Sequence, residues 1–326
     1  DLLANKIAAG EVVERCVSIV KELVENSIDA KATEIKIELK SSGVKSIKVT
    51  DNGIGMDKDD ALLCFGSHAT SKIKDEDDLF NINTLGFRGE ALPSIASVSN
   101  VVISSCDGVD SVIYTLEAGD LVKKENGEMR RGTIIEVKDL FYNTPVRYKF
   151  LKKDFTESGY IEDVVTRIAL VHPEIAVKLI NTGKTVIQTS GNGEIKPVIY
   201  NIYGKEIADN LIDIDYTYDD IIVKGVIGKP VISRSNRSNQ LFFVNNRFVK
   251  DKALSGAAEQ AFKGFVTIGK HGFLVLNIDM DPRKVDVNVH PAKLEVRFQE
   301  ETKIFKAIYH AIREGLLKGD LVADTE

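Results

Sequence analysis

Residues 11–30 follow one pattern and residues 34–51 another, and the switch between them restricts the fold of this 326-residue chain more than any other feature. Val13, Cys16, Val20 and Leu23 recur at spacings of three and four. Glu11, Ser18, Glu22, Asn26 and Asp29 collect on the opposite side, which predicts an amphipathic helix. Residues 34–39 and 46–51 then alternate apolar and polar side chains with period two, which predicts strands with one buried face. A helix with one apolar stripe and strands with one apolar face bury both by layering helix on sheet.

The same alternation continues downstream. Further strands are predicted at 101–105, 111–116 and 133–137, a helix at 157–171, and a hairpin at 176–180 and 185–189 closed by Asn181-Thr182-Gly183-Lys184. Between them, residues 52–93 are punctuated by glycine and poor in β-branched residues. Ser190-Gly191-Asn192-Gly193 reads as a linker, after which the pattern restarts. Strands are predicted there at 221–227, 240–244 and 273–278, with helices at 252–263 and 301–317. The expectation is an α/β (α+β) protein of two domains, 1–194 and 195–326.

Composition narrows the function classes. Lys and Arg number 43 against 49 Asp and Glu, a net charge of -6, so no global positive field recruits nucleic acid or an anionic membrane. A DNA-binding role would need a local basic surface. Cys16, Cys64 and Cys106 are far apart without CxxC spacing, and the five histidines are scattered, so no zinc site is expected. Neither a membrane-length apolar run nor a signal peptide is present, and the chain is expected to be soluble, without a membrane partner. The first residue is Asp1 rather than Met, which suggests a piece of a longer protein.

Four groups of residues are candidates for chemistry. Glu22 and Asn26 are one helical turn apart, with Asp29 further along the same face. A carboxylate beside a carboxamide suits a water-activating base and a metal-binding oxygen, and equally a solvated helix face. Asp51-Asn52-Gly53-Ile54-Gly55 ends a strand, where a carboxylate can accept from an exocyclic amine and glycines admit a flat ring; a tight turn uses the same residues. Thr84-Leu85-Gly86-Phe87-Arg88-Gly89-Glu90-Ala91-Leu92 leads into an apolar helical pattern, as an anion pocket of backbone amides would, and His68-Ala69-Thr70-Ser71-Lys72 offers hydroxyls and an ammonium. Both segments also suit plain surface loops. Lys293, in His290-Pro291-Ala292-Lys293, can act as a point charge to a terminal phosphate or be an exposed turn lysine. Thr182-Gly183-Lys184-Thr185 mimics a P-loop tail, but Lys178 stands where its first glycine belongs, and the segment falls in a hairpin.

Taken in order, these strings resemble the GHKL ATPases, and within them the MutL mismatch-repair family. The resemblance is carried by Asn5-Lys6-Ile7-Ala8-Ala9-Gly10-Glu11-Val12-Val13, Lys21-Glu22-Leu23-Val24-Glu25-Asn26-Ser27, the HATSK run 68–72, the GFRGEAL run 86–92, Asp139-Leu140-Phe141-Tyr142-Asn143-Thr144-Pro145 and the segment 285–293. It implies a GHKL-type layered α/β sandwich over 1–194. Over 195–326 it implies a ribosomal-protein-like, transducer-type domain with a left-handed βαβ crossover. Glu22 is implied as the general base and Asn26 as the Mg²⁺ ligand. Asp51 is implied to bind the adenine amine of ATP, with Gly53, Gly55 and Thr133 beside the ring. Thr70, Ser71, Lys72, Gly86, Phe87, Arg88, Gly89, Glu90, Ala91 and Leu92 would line the phosphates and lid, and Lys293 would reach the γ-phosphate from the second domain.

The function so implied is a slow Mg²⁺-dependent ATPase switch in DNA mismatch repair. ATP would drive N-terminal dimerisation, as a homodimer or a family heterodimer. The partners would be a mismatch-sensing MutS protein and a downstream nuclease or helicase, in the cytoplasm or, in a eukaryote, the nucleus. No nuclease region is recognised in this chain. The alternatives are an ATP sensor or DNA-binding module with negligible turnover, and a gyrase-B-like branch.

Two residues depart from the family pattern. Cys16 stands where the family usually has proline, with little effect expected at a helix start. Glu259 stands where some members carry an arginine implicated in DNA binding, and a carboxylate repels phosphate. Arg234, Arg237, Arg247, Lys250, Lys252 and Lys263 are the remaining candidates for a weak, nonspecific DNA groove.

Overall fold

The computed structural model describes residues 15–66, 88–128, 130–151, 154–287 and 294–323. The chain divides into two compact units, one built from 1–169 and 173–194, the other from 170–172 and 195–326.

The first unit is built on α1 (Cys16–Asp29), β1 (Glu34–Lys40) and β2 (Ser46–Asp51). The stripe of α1 buries Cys16, Ile19, Val20, Leu23, Val24 and Ser27, and the helix packs on β1 and β2. Cys16 is the first helical residue. Arg15 provides no side-chain cap there. Instead Glu157, from a later helix, accepts from the Cys16 amide, a donor that proline would lack.

A short helix, α2 (Lys58–Leu63), is followed by α3 (Arg88–Ser97), β3 (Asn100–Cys106), β4 (Ser111–Glu117), β5 (Asp120–Asn126) and β6 (Gly132–Lys138). After them come α4 (Pro145–Phe150), α5 (Asp154–Val171), β7 (Ala176–Asn181) and β8 (Lys184–Gln188). Among the described residues the strands form one eight-stranded sheet in the order β5-β4-β3-β6-β2-β1-β7-β8, parallel between β1 and β7 and antiparallel elsewhere.

Register explains how the inner face is filled. Val101, Val137 and Ile47 stand in one row across β3, β6 and β2, and Ile103, Ile135 and Val49 in the next. All six are buried. The third row breaks the pattern: it holds Ser105, Thr133 and Asp51. Residues directly opposite one another share a face of the sheet. The face is therefore apolar along its length and polar at one end.

Between β7 and β8, Thr182 and Gly183 both have positive φ, 49° and 81°, as a two-residue type I′ hairpin turn requires. The lysine and threonine that mimic a P-loop thus sit in a hairpin. Strand β5 was not expected from the sequence, because six of its seven residues are exposed and no alternation marks it.

The second unit contains α6 (Ile195–Tyr203), α7 (Lys205–Ala208), β9 (Leu211–Tyr218), β10 (Ile221–Gly228), β11 (Gln240–Val244), β12 (Arg247–Val249), α8 (Lys252–Phe262) and β13 (Leu274–Asp279). A two-stranded pair, β14 (Val285–Asp286) with β15 (Arg297–Phe298), and the long α9 (Glu301–Ala323) complete it. Its main sheet has the order β12-β11-β13-β10-β9. The adjacent parallel strands β11 and β13 are joined through α8, a βαβ crossover. Helices α8 and α9 pack together, and α9 lies on β9 and β10 over a core that includes Ile214, Val223, Leu276, Phe262, Ile308 and Ile312.

At the β9–β10 turn, Lys303 of α9 lies 2.6 Å from both Asp219 and Asp220. Hydrogen bonds from Lys303 and Lys284 hold the Asp220 carboxyl down at about 2. Among the described residues no helix is long and apolar enough to cross a membrane.

Candidate functional site

The polar end of the first sheet meets α1. Glu22 and Asn26 are half-buried on that helix, and one carboxylate oxygen of Glu22 is closed off from solvent. Ser27, the residue after Asn26, is turned inward. Its oxygen lies 2.6 Å from Asp51 Oδ2 and 3.2 Å from the Leu23 carbonyl. With one proton to give, the hydroxyl makes the shorter, charge-assisted bond to the carboxylate. The other Asp51 oxygen accepts the Gly53 amide at 2.9 Å.

The segment after Asp51 is fastened to the end of α1. The Ile54 amide donates to the Ala30 carbonyl at 2.9 Å. Asn52 Oδ1 accepts the amides of Thr33 and Glu34 at 2.8 and 2.9 Å, and Asn52 Nδ2 donates to Thr33 Oγ1 at 2.8 Å. Gly53 sits so close to Ala30 that a Cβ would lie 2.6 Å from the Ala30 carbonyl oxygen. Gly55 has φ of 71°, and a Cβ there would run into the Cys106 carbonyl. Arg131 Nε reaches back to the Ile54 carbonyl at 3.4 Å.

Thr133 stands directly opposite Asp51 and is 8 % exposed. Its Oγ1 is 2.8 Å from Ser105 Oγ, which in turn accepts the Met56 amide at 2.9 Å. The result is a carboxylate and a hydroxyl side by side on the inner face, bordered by a close-packed glycine segment and by the helix that carries Glu22 and Asn26. Ser27 and Ser105 were not assigned roles from the sequence. Their signal is a hydroxyl at a position the apolar pattern reserves for a core residue.

The remaining expectations divide. Ala91 and Leu92 lie in α3 with buried side chains, so any contact they make to an anion runs through the backbone. Arg88, Gly89 and Glu90 lie in the same helix. Thr70, Ser71, Lys72, Gly86, Phe87 and Lys293 lie outside the described residues.

In the second unit Arg237, Lys250 and Lys252 line a groove of about 920 Å³, whereas Arg234, Arg247 and Lys263 are not among its lining residues. The groove also contains Asp251, Glu259 and Glu295. Arg237 Nη2 lies 2.6 Å from Glu259 Oε2. The basic groups therefore share the groove with carboxylates.

Residues 14–144 match the family described as histidine kinase-, DNA gyrase B-, and HSP90-like ATPase. The first unit is accordingly a GHKL ATPase domain. Residues 199–317 match the C-terminal domain of DNA mismatch repair proteins. The chain is 46% identical over 324 residues to the DNA mismatch repair protein MutL of Thermoanaerobacter pseudethanolicus, covering 99% of this chain and 53% of that protein. It is 49% identical over 323 residues to that of Geobacillus kaustophilus, covering 99% and 51%. The chain belongs to the MutL family, and it spans about half the length of the curated relatives it matches.

Solved structures agree with the fold. One described as the N-terminal domain of a DNA repair protein has a TM-score of 0.81 at 26% identity, covering 98% of this chain and 99% of that one. The Aquifex aeolicus MutL ATPase domain complexed with ADP has a TM-score of 0.60 at 27% identity, covering 83% and 94%. The gyrase B subunit of Myxococcus xanthus, at 12% identity and a TM-score of 0.59, shares the fold alone.

Proposed function

We propose that this chain is an ATP-binding and slowly ATP-hydrolysing switch that acts in DNA mismatch repair. The observation that carries the reading is the bond between Ser27 and Asp51. It joins a carboxylate suited to an exocyclic amine to the helix that carries Glu22 and Asn26. The complex of a related MutL ATPase domain with ADP supports a purine nucleotide as the ligand.

In this reading Asp51 accepts the adenine amine, Thr133 contacts the ring edge, and Gly53 and Gly55 shape the turn beside the base by packing closely on Ala30 and Cys106. Glu22, one turn before Asn26, orients the attacking water and takes its proton. The amides at the start of α3 face the phosphates. Thr70, Ser71, Lys72, Gly86, Phe87 and Lys293 enter the proposal on sequence alone.

The residues also fit Mg²⁺. Among the described residues no cluster of three or more His, Cys, Asp or Glu side chains is placed to hold a metal. Mg²⁺ bound mainly through phosphate and water needs one or two hard protein oxygens, and the Asn26 carboxamide is such a group. When bound, the ion offsets charge on the triphosphate.

ATP-driven dimerisation, coupling to a mismatch-sensing MutS protein and a downstream nuclease or helicase, and weak nonspecific DNA contact in the Arg237–Lys250–Lys252 groove complete the proposal. Steady-state hydrolysis with Mg²⁺, alongside ATP binding, tests it on wild type and Glu22→Ala. The expected result is slow turnover by wild type, and binding without turnover by the variant. Equal turnover by both overturns the role of Glu22, and absence of binding by wild type overturns the site.

A further inference from the structure

The string 139–145 has no part in the scheme above, yet its turn is both strained and buried. Asp139 and Phe141 have φ of 53° and 61°, and the Leu140 and Phe141 side chains are each 1 % exposed. Left-handed backbone is unfavourable for a residue as bulky as phenylalanine, so the surrounding contacts must hold it there. Those contacts include the end of α3. Residues 91–99 are buried throughout, so the carbonyls that close the helix must find partners inside the protein. Side chains of the segment itself meet two of them: Ser97 Oγ donates to the Ser94 carbonyl at 2.7 Å and Ser99 Oγ to that of Ile95 at 2.6 Å. The turn meets the next two. The Phe141 amide donates to the Val98 carbonyl at 2.8 Å, and Asn143 Nδ2 donates to the Ser97 carbonyl at 3.0 Å. A carbonyl only accepts, so this bond fixes which end of the carboxamide faces α3. Asn143 Oδ1 is closed off from solvent with no hydrogen bond among the described residues, so the side chain acts through Nδ2.

The helix depends on that anchor because it is weak in itself. Gly89 and Pro93 both fall within its ten residues. Pro93 has no amide to give the Gly89 carbonyl, so the hydrogen-bond ladder is interrupted after the first turn. A helix of this length and composition takes its position from tertiary packing rather than from propensity, here from the buried second half that the turn holds. We infer that Asn143, together with the Phe141 amide, anchors the C-terminal end of α3 and so places the amides at its start against the phosphates of the bound nucleotide. The inference rests on the proposal that those amides face the phosphates. It makes Asn143 a positioning residue for the phosphate end of the site and not for the base end at Asp51.

Displacement of a fluorescent ADP by ADP and by adenosine tests it, since adenosine carries the base without phosphates. Wild type is expected to bind ADP more tightly than adenosine. Asn143→Ala is expected to weaken ADP about 3- to 10-fold, the value of one hydrogen bond, and to leave adenosine within about twofold. Asn143→Asp keeps the shape, loses the donor and sets a negative charge against the negative end of a helix, so it is expected to lose at least as much as alanine. An equal loss for adenosine and ADP in Asn143→Ala, no loss for ADP, or wild-type ADP affinity in Asn143→Asp overturns the role of Asn143. Coupling between two sites is reciprocal, so wild type alone supplies a test that needs no folded variant. Saturating ADP is expected to slow hydrogen exchange at the Phe141 amide more than saturating adenosine does. Equal protection by the two ligands overturns the anchor. Equal affinity of wild type for adenosine and ADP overturns instead the placement of α3 against the phosphates, and failure to bind either overturns the site.

Discussion

Ser27 Oγ lies 2.6 Å from Asp51 Oδ2, although the two residues are 24 positions apart and belong to different layers of the fold. Both Asp51 oxygens carry a protein hydrogen bond, one from Ser27 and one from the Gly53 amide. The carboxylate plane is thereby fixed, and for the proposed nucleotide at Asp51 this is expected to lower the ordering cost of binding.

Ser27→Ala removes one of those two bonds and leaves the volume nearly unchanged. Its nucleotide affinity is expected to fall about 3- to 10-fold, with the fold intact, since one hydrogen bond is worth about 0.5–1.5 kcal/mol. Titration calorimetry with ADP reads this directly. An unchanged affinity would show that Gly53 alone orients Asp51.

Gly55→Ala acts through the backbone. The residue has φ of 71°, and its Cβ would collide with the Cys106 carbonyl on β3. The left-handed conformation alone costs a side chain about 1–3 kcal/mol, and the collision adds to it. Thermal denaturation is expected to show lost stability together with weakened nucleotide binding. Wild-type behaviour in both assays would mean that the segment after β2 packs elsewhere.

Glu157 introduces a pH dependence of known sign. Burial pushes its carboxyl above the usual range, opposed by the Arg15 charge and by the Cys16 amide. A carboxylate with a raised folded-state value binds protons more tightly in the native state, so its charge costs stability as pH rises from the unfolded value through the folded one. Glu157→Gln retains an acceptor for the Cys16 amide and removes the charge. Its melting temperature is expected to match or exceed wild type at pH 8 and to vary less from pH 5 to 8. A loss of equal size at every pH would show that the carboxylate acts by packing alone.

Glu259 holds Arg237 in an exposed ion pair within the second-unit groove. Glu259→Gln releases that guanidinium. If the groove meets DNA, nonspecific affinity rises and the slope of log K against log salt steepens by about one, the effect of one added phosphate contact. Fluorescence anisotropy over a salt series measures both. Identical slopes for variant and wild type would place DNA elsewhere.

How much of this was visible in the sequence depends on what each residue must satisfy. The strands β1, β2, β3, β4 and β6 were legible because each has one buried face and alternates accordingly. The edge strand β5 was not, since both its faces meet water and only ladder pairing to β4 defines it. Strand β9, not among the strands expected above, alternates Ile212, Ile214, Tyr216 and Tyr218 with acidic and hydroxyl residues, so its pattern is legible in the same way. In the site, Asp51, Gly53 and Gly55 were legible because turn residues after a strand stand out. Ser27 and Ser105 were not, since a serine on a buried stripe reads as a small core residue until register shows which polar atom it faces.

The bonds from Ile54 to Ala30 and from Asn52 to Thr33 and Glu34 bear on motion. They tie the end of β2, with Asp51, to the end of α1, the helix that carries Glu22 and Asn26. In the proposed site, a rearrangement on nucleotide binding or release is therefore expected to bend elsewhere in the chain, with the segment around Asp51 as the frame against which that displacement is made.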